Sequence, residues 1–206
     1  RHSPLWCSRR SPSRGGIRVL GQGVPEYIDE SIRLIKMAAD QNNETAQYLL
    51  GYFYYQGVGV EEDYDKAFLW MSKAAKAGYS DAERQFGSFY YLGIGTECDF
   101  ETAHRWYCKA ADHGNEEAQY NVAVDYYFGL GVEQDWDEAL RWYRISAENG
   151  YAEAQYSLAC MLDKGIVIQQ DSQTALEWAR KAAGQGFYPA NLLIDEIMER
   201  QQSQRP

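Results

Sequence analysis

No stretch of this 206-residue chain approaches the roughly 20 consecutive apolar residues that a membrane-spanning helix requires. Direct membrane insertion is therefore not expected. Cysteine is scarce: Cys7, Cys98, Cys108 and Cys160 follow no regular spacing. They are too few for a disulfide framework, and the fold is expected not to depend on oxidation. Acidic residues are missing from the first 18 positions, which carry Arg1, Arg9, Arg10, Arg14 and Arg18, and the rest of the chain holds 15 basic against 30 acidic side chains. An acidic body without a basic patch repels nucleic-acid phosphates and anionic lipid, so neutral or basic protein surface is the expected partner and nucleic acid is not. The chain begins with Arg1 rather than Met and reads as starting inside a longer product; a soluble, intracellular protein is expected. A lone Asn43-Glu44-Thr45 triplet would accept a glycan only on the secretory route.

What the chain has in abundance is self-similarity. Four consecutive blocks, residues 44–79, 80–115, 116–151 and 152–187, align without a gap at a period of 36. The third position is Ala46, Ala82, Ala118 and Ala154, and the eighth is small throughout: Gly51, Gly87, Ala123, Ala159. Gly57, Gly93, Gly129 and Gly165 hold the fourteenth position, while the sixteenth reads Gly59, Gly95, Gly131 and then Val167. Asp63, Asp99, Asp135 and Asp171 recur at position 20, and each is followed by an invariant Ala and Trp at positions 24 and 27.

Each block predicts two helices. Apolar residues at positions 3, 7 and 11, such as Ala82, Phe86 and Tyr90, share one stripe at helical spacing. Gly-x-Gly then ends the first helix, because a residue without Cβ adopts left-handed angles freely. The invariant Asp caps the second helix by accepting its orphan amides. That helix buries positions 24, 27, 28 and 31, for example Ala103, Trp106, Tyr107 and Ala110. Two helices this short cannot enclose their own apolar face, so neighbouring pairs must stack.

The pattern A-x-x-x-L-G-x-x-Y-x-x-G-x-G-V, followed by D-x-x-x-A-x-x-W-Y-x-K-A-A-x-x-G, best seen from Ala46 to Gly78, resembles the Sel-one-like repeat family, close kin of the tetratricopeptide repeats. The resemblance covers residues 21 to about 198. It implies an all-α, right-handed α/α superhelical solenoid of 36-residue helix-turn-helix repeats that serves as an adaptor or assembly scaffold.

At the ends the phase frays. Gly21 and Gly23 lie 36 residues before Gly57 and Gly59, so residues 20–43 read as the second half of a truncated repeat. Residues 1–19, with Pro12 and charges where Leu and Tyr belong, read as a disordered or non-native basic segment. The missing helix would leave an open edge that offers a surface for self-association. Downstream, Ala190, Ile194 and Met198 keep first-helix spacing, but Asp195 replaces the small residue; residues 188–200 read as a capping helix and 201–206 as a tail.

In tetratricopeptide arrays the first helices line a concave face. Carried over by phase, that relation implies a binding surface of Tyr48, Tyr52 and Tyr55 in the first block and Asp81, Arg84, Ser88 and Tyr91 in the second. Glu117, Tyr120 and Tyr127 follow in the third, and Glu153, Tyr156 and Asp163 in the fourth. Tyrosine offers large contact area, little rotamer entropy to lose and a hydroxyl for orientation. The competing view makes the position-5 tyrosines packing residues between repeats, whereas Tyr55, Tyr91 and Tyr127 adjoin the core tyrosine and should face elsewhere. The recurring Trp reads as core.

Two other functions compete with the scaffold. Cysteine-rich relatives of the family described as β-lactamase-like suggest a hydrolase, but they carry a cysteine pair in each repeat and this chain does not. His104 and Cys108 are four apart on one helix, a spacing that could join thiol and imidazole or bind a metal, yet no third group converges on them. They read as exposed, and no catalytic residue, metal or cofactor is assigned. The third function is a structural spacer within a larger protein.

Overall fold

A computed structural model describes residues 25–203. The expectations for residues 1–19 and for Gly21 and Gly23 lie outside the described residues. Those described form ten helices and no strand: α1 (Pro25–Asp40), α2 (Glu44–Gln56), α3 (Tyr64–Lys76), α4 (Ser80–Leu92), α5 (Phe100–Asp112), α6 (Glu116–Phe128), α7 (Trp136–Glu148), α8 (Ala152–Lys164), α9 (Ser172–Gly184) and α10 (Pro189–Ser203). The chain divides into two compact units, Arg1–Asn115 and Glu116–Pro206.

The same local chemistry ends and begins each helix pair. The amide of Gly57, at φ 67°, donates to Phe53 O and closes α2 in the left-handed region; Gly93 does the same for α4 at φ 72°. The Asp63 carboxylate accepts from Lys66 N at 2.9 Å at the start of α3, and Asp99 accepts from Thr102 N at 3.0 Å at the start of α5. Each side chain thereby satisfies a backbone donor that has no partner within its helix.

In the first unit the core consists of Ala67, Met71, Ala74, Ala75, Ala82, Phe86, Phe89 and Ile94. In the second it consists chiefly of Ala154, Leu158, Ala159, Leu162, Ala175, Ala179, Leu193 and Ile197. The predominance of alanine reflects close helix approach. A Cβ added to Gly87 would stand 2.8 Å from the Tyr107 ring and 3.1 Å from Ala103 O, so α4 and α5 meet there only because the side chain is missing.

The recurring tryptophans pack against these cores but are only half-buried, a difference from their expected place inside. Lys73 lies 3.9 Å from the Trp70 ring centroid, Lys109 4.0 Å from Trp106, Arg141 4.6 Å from Trp142 and Lys181 3.8 Å from Trp178. Each ring is thus partly packed on a core cluster and approached by a cation. Helix α10 runs to Ser203, whose hydroxyl donates to Glu199 O at 3.0 Å. It therefore extends into the segment expected as tail. Cys108 and Cys160 are free thiols, whereas Cys98 is disulfide-bonded.

Candidate functional site

The residues carried over from the tetratricopeptide pattern all fall on α2, α4, α6 and α8. In the first unit they form ring contacts. Tyr48 stacks with Tyr52 at 6.5 Å between centroids and packs on Tyr79 at 5.2 Å. Tyr55 packs on Tyr64 and, at 5.3 Å, on the fully buried Phe89, and Tyr91 meets Phe100 edge-on at 5.1 Å. Only Tyr52 among these four is exposed; the others are half-buried, so the position-12 tyrosines do not stand clear of the packing. Asp81 accepts from Asn115 Nδ2 at 2.9 Å. Ser88 Oγ donates to Arg84 O and lies 3.2 Å from Tyr107 Oη.

The second unit brings three of the expected tyrosines together around a cavity of about 300 Å³. Tyr120, Val124, Tyr127 and Phe128 come from α6, Tyr143 from α7, and Tyr156, Ser157, Cys160, Met161 and Lys164 from α8, with Ile166 closing the loop side. The rings support one another: Tyr120 lies 5.6 Å from Tyr143 and 5.3 Å from Tyr151, and Tyr127 6.5 Å from Tyr143. Burial lifts the Tyr143 phenol far above the usual tyrosine range and raises Tyr120 in the same direction. Both stay neutral donors. Burial also raises the Cys160 thiol, an effect that the hydrogen bond from Tyr156 and the Lys164 charge only partly oppose. A thiol held protonated is a poor nucleophile.

Glu117 and Glu153 are half-buried on the same helices. Asp163 departs from its expected role. Its carboxylate is buried, accepts from Arg200 at 2.6 Å and from Ser172 Oγ at 3.0 Å, and so braces α8 against α10 and the start of α9. Val124, Phe128, Cys160 and Lys164, at positions 9 and 13 of their blocks, are not among the residues expected from the sequence. Nor is Tyr143, because it belongs to a second helix.

His104 is buried rather than exposed, with Nε2 3.5 Å from the half-buried Cys108 Sγ. The helical spacing joins them as expected, but the ring is covered by packing. Among the described residues no three His, Cys, Asp or Glu side chains gather to hold a metal, and no helix is long and apolar enough to cross a membrane.

The family model of the Sel1 repeat matches residues 19–43, 45–79, 80–115, 116–151 and 152–187. The chain belongs to the Sel1 repeat family. Among solved structures this Sel1 chain is similar to a protective antigen of uropathogenic Escherichia coli with an SLR fold, at 35% identity and a TM-score of 0.76, over 82% of this chain and 36% of that one. A Sel1 repeat protein from Oxalobacter formigenes is 37% identical at a TM-score of 0.76, over 78% of this chain and 66% of that one. An immunity protein from Pseudomonas aeruginosa shares the fold at 21% identity and a TM-score of 0.54, over 78% of this chain and 60% of its own. The chain thus spans about a third and just under two thirds of the first two relatives. No curated protein matches it.

Proposed function

We propose that the Sel1 array is a protein-interaction scaffold that holds a peptide or protein segment on the tyrosine-rich face of its first helices, with α6 and α8 as the principal contact. The observation that carries this is the aromatic cavity between α6, α7 and α8. It combines apolar rings with a few polar atoms, the composition of a recognition site. Its one thiol is kept protonated, and the His104–Cys108 pair is packed away, so the chemistry supports binding rather than hydrolysis. The acidic excess outside the N-terminal segment favours neutral or basic partner surface at long range.

The test is capture of a partner by the full chain and by the double variant Tyr91→Ala plus Tyr127→Ala. Truncating an aromatic anchor costs about 2 kcal/mol or more where it is a hot spot, enough to abolish retention. Loss of a specific partner with the thermal transition still cooperative supports the reading. Undiminished capture moves binding to the second-helix face and overturns it; absence of any specific partner favours the spacer.

A further inference from the structure

The cavity between α6, α7 and α8 contains one charged side chain, Lys164. Met161 and Ile166 add apolar surface to the lining beside the rings of Tyr127 and Tyr143. The α8 side of the lining includes the small Ser157 and Cys160, where the first block has the larger Leu49 and Tyr52. Lys164 stands at the last residue of α8, where a cation answers the helix dipole. That alone would explain a lysine, but among the described residues its ammonium makes neither ion pair nor side-chain hydrogen bond. Four carboxylates act on the lining from outside it: Asp125 on Tyr143, where it is itself buried, Glu153 on Tyr120, and Asp163 and Glu196 on Cys160. Asp163 is already held by Arg200, and Glu196 acts on Cys160 more weakly than Lys164 does. The one charge in the lining itself is therefore positive.

We infer that this cavity takes a large apolar side chain of an extended partner segment, with the carboxylate of an acidic residue two positions along meeting Lys164. Residues i and i+2 of an extended segment project on the same side, about 7 Å apart, which lets one enter the cavity while the other reaches the rim. The cavity lies at the lower end of the roughly 300–1,000 Å³ range of ligand pockets, a size for one side chain rather than a folded element. The inference rests on the scaffold reading and deepens it. Long-range attraction to a neutral or basic partner is compatible with one acid at the anchor, because the rim charge selects register rather than supplying most of the affinity.

The chain has four methionines, Met37, Met71, Met161 and Met198, so methyl-labelled protein gives four resolvable signals, and Met161→Leu assigns the one in the cavity. The probe is N-acetyl-Gly-Phe-Ser-Glu-Gly-amide, whose only carboxylate is the Glu side chain. A saturable shift of the Met161 methyl, with the Met71 methyl of the first-unit core unmoved, is expected. Replacing Glu by Lys in the peptide should weaken binding about five-fold, in the range of an exposed ion pair turned repulsive. Lys164→Glu should invert that preference and Lys164→Gln erase it; both changes are at an exposed position and leave the fold intact. Equal binding of the two peptides overturns the acidic specificity while the scaffold reading stands on its capture experiment. No shift of Met161 with either peptide overturns the cavity as an anchor site.

Discussion

At Val167 the backbone adopts φ 63°, the angle at which Gly59 and Gly95 sit in other repeats. A left-handed conformation costs an L-residue about 1–2 kcal/mol, and the β-branch makes valine a poor occupant. Glycine would return about 0.5–1 kcal/mol of that gain through a freer unfolded chain. The Val167 side chain is 41% exposed, so little burial is at stake. Val167→Gly is therefore expected to stabilise by about 0.5–1 kcal/mol, a rise of roughly 2–3 °C in Tm for a chain of this size. A lower Tm would mean that the valine contacts outweigh the strain. At Asp99, hydrogen bonds from Thr102 N and Thr102 Oγ1 hold the carboxyl below its ordinary range. A depressed pKa gives stability that is present above the unfolded value, about 3.9, and lost as pH falls below it. Asp99→Ala should cost about 1 kcal/mol at pH 7, and urea midpoints of variant and wild type should draw together as pH falls from about 3.9 through the depressed folded value. A gap that persists in acid would show that the cap does not act through its charge.

Between elements, polar clamps recur that periodicity concealed. The fourth position of each block is polar and buried, and in the second to fourth blocks its partner lies 30 residues on: His113 Nδ1 stands 2.7 Å from Glu83 Oε2, Asn149 Nδ2 donates to Gln119 Oε1 at 2.8 Å, and Gln185 Nε2 donates to Gln155 Oε1 at 2.9 Å. Gln155 also donates to Ala147 O at 3.1 Å, tying α8 to α7. Gln155→Leu keeps the volume but strands both partners, so a loss of about 1–3 kcal/mol is expected in equilibrium unfolding. A change below about 0.5 kcal/mol would show that Gln185 re-pairs fully through Gly150 O, to which it already donates. The helix pairs were legible in the sequence because Gly57, Asp63 and their equivalents act on their own backbone, where spacing alone determines the outcome. The clamps were not, since Gln and Glu at position 4 read as surface until a partner covers them. Asp163 was misjudged for a related reason: Arg200 lies outside the repeat phase, so no alignment of blocks could pair them. The cavity combines small residues on α8 with a tyrosine from α7, and a void leaves no motif.

Across the whole molecule, the 17 tyrosines link packing to alkaline pH. Burial raises the phenols of Tyr48 and Tyr79 in the first unit and of Tyr120, Tyr143 and Tyr156 in the second. A phenol whose folded pKa is raised contributes stability that is complete below the unfolded value, near 10, and disappears as pH climbs through the folded one. Above pH 10 lysines also begin to lose charge, which increases the net negative charge and its self-repulsion. Both effects act in the same direction. The helices should hold to about pH 10 and then melt, with tyrosinate absorbance rising in two stages: an early reversible part, and a later part from the buried rings that appears together with the loss of the helical circular dichroism signal. Parallel titration by absorbance and circular dichroism separates the two. If every tyrosine ionised in one stage while the helices stayed intact, the ring clusters around Tyr48 and Tyr143 would be open to solvent, and the aromatic cavity would lose the dry wall on which the proposed binding role depends.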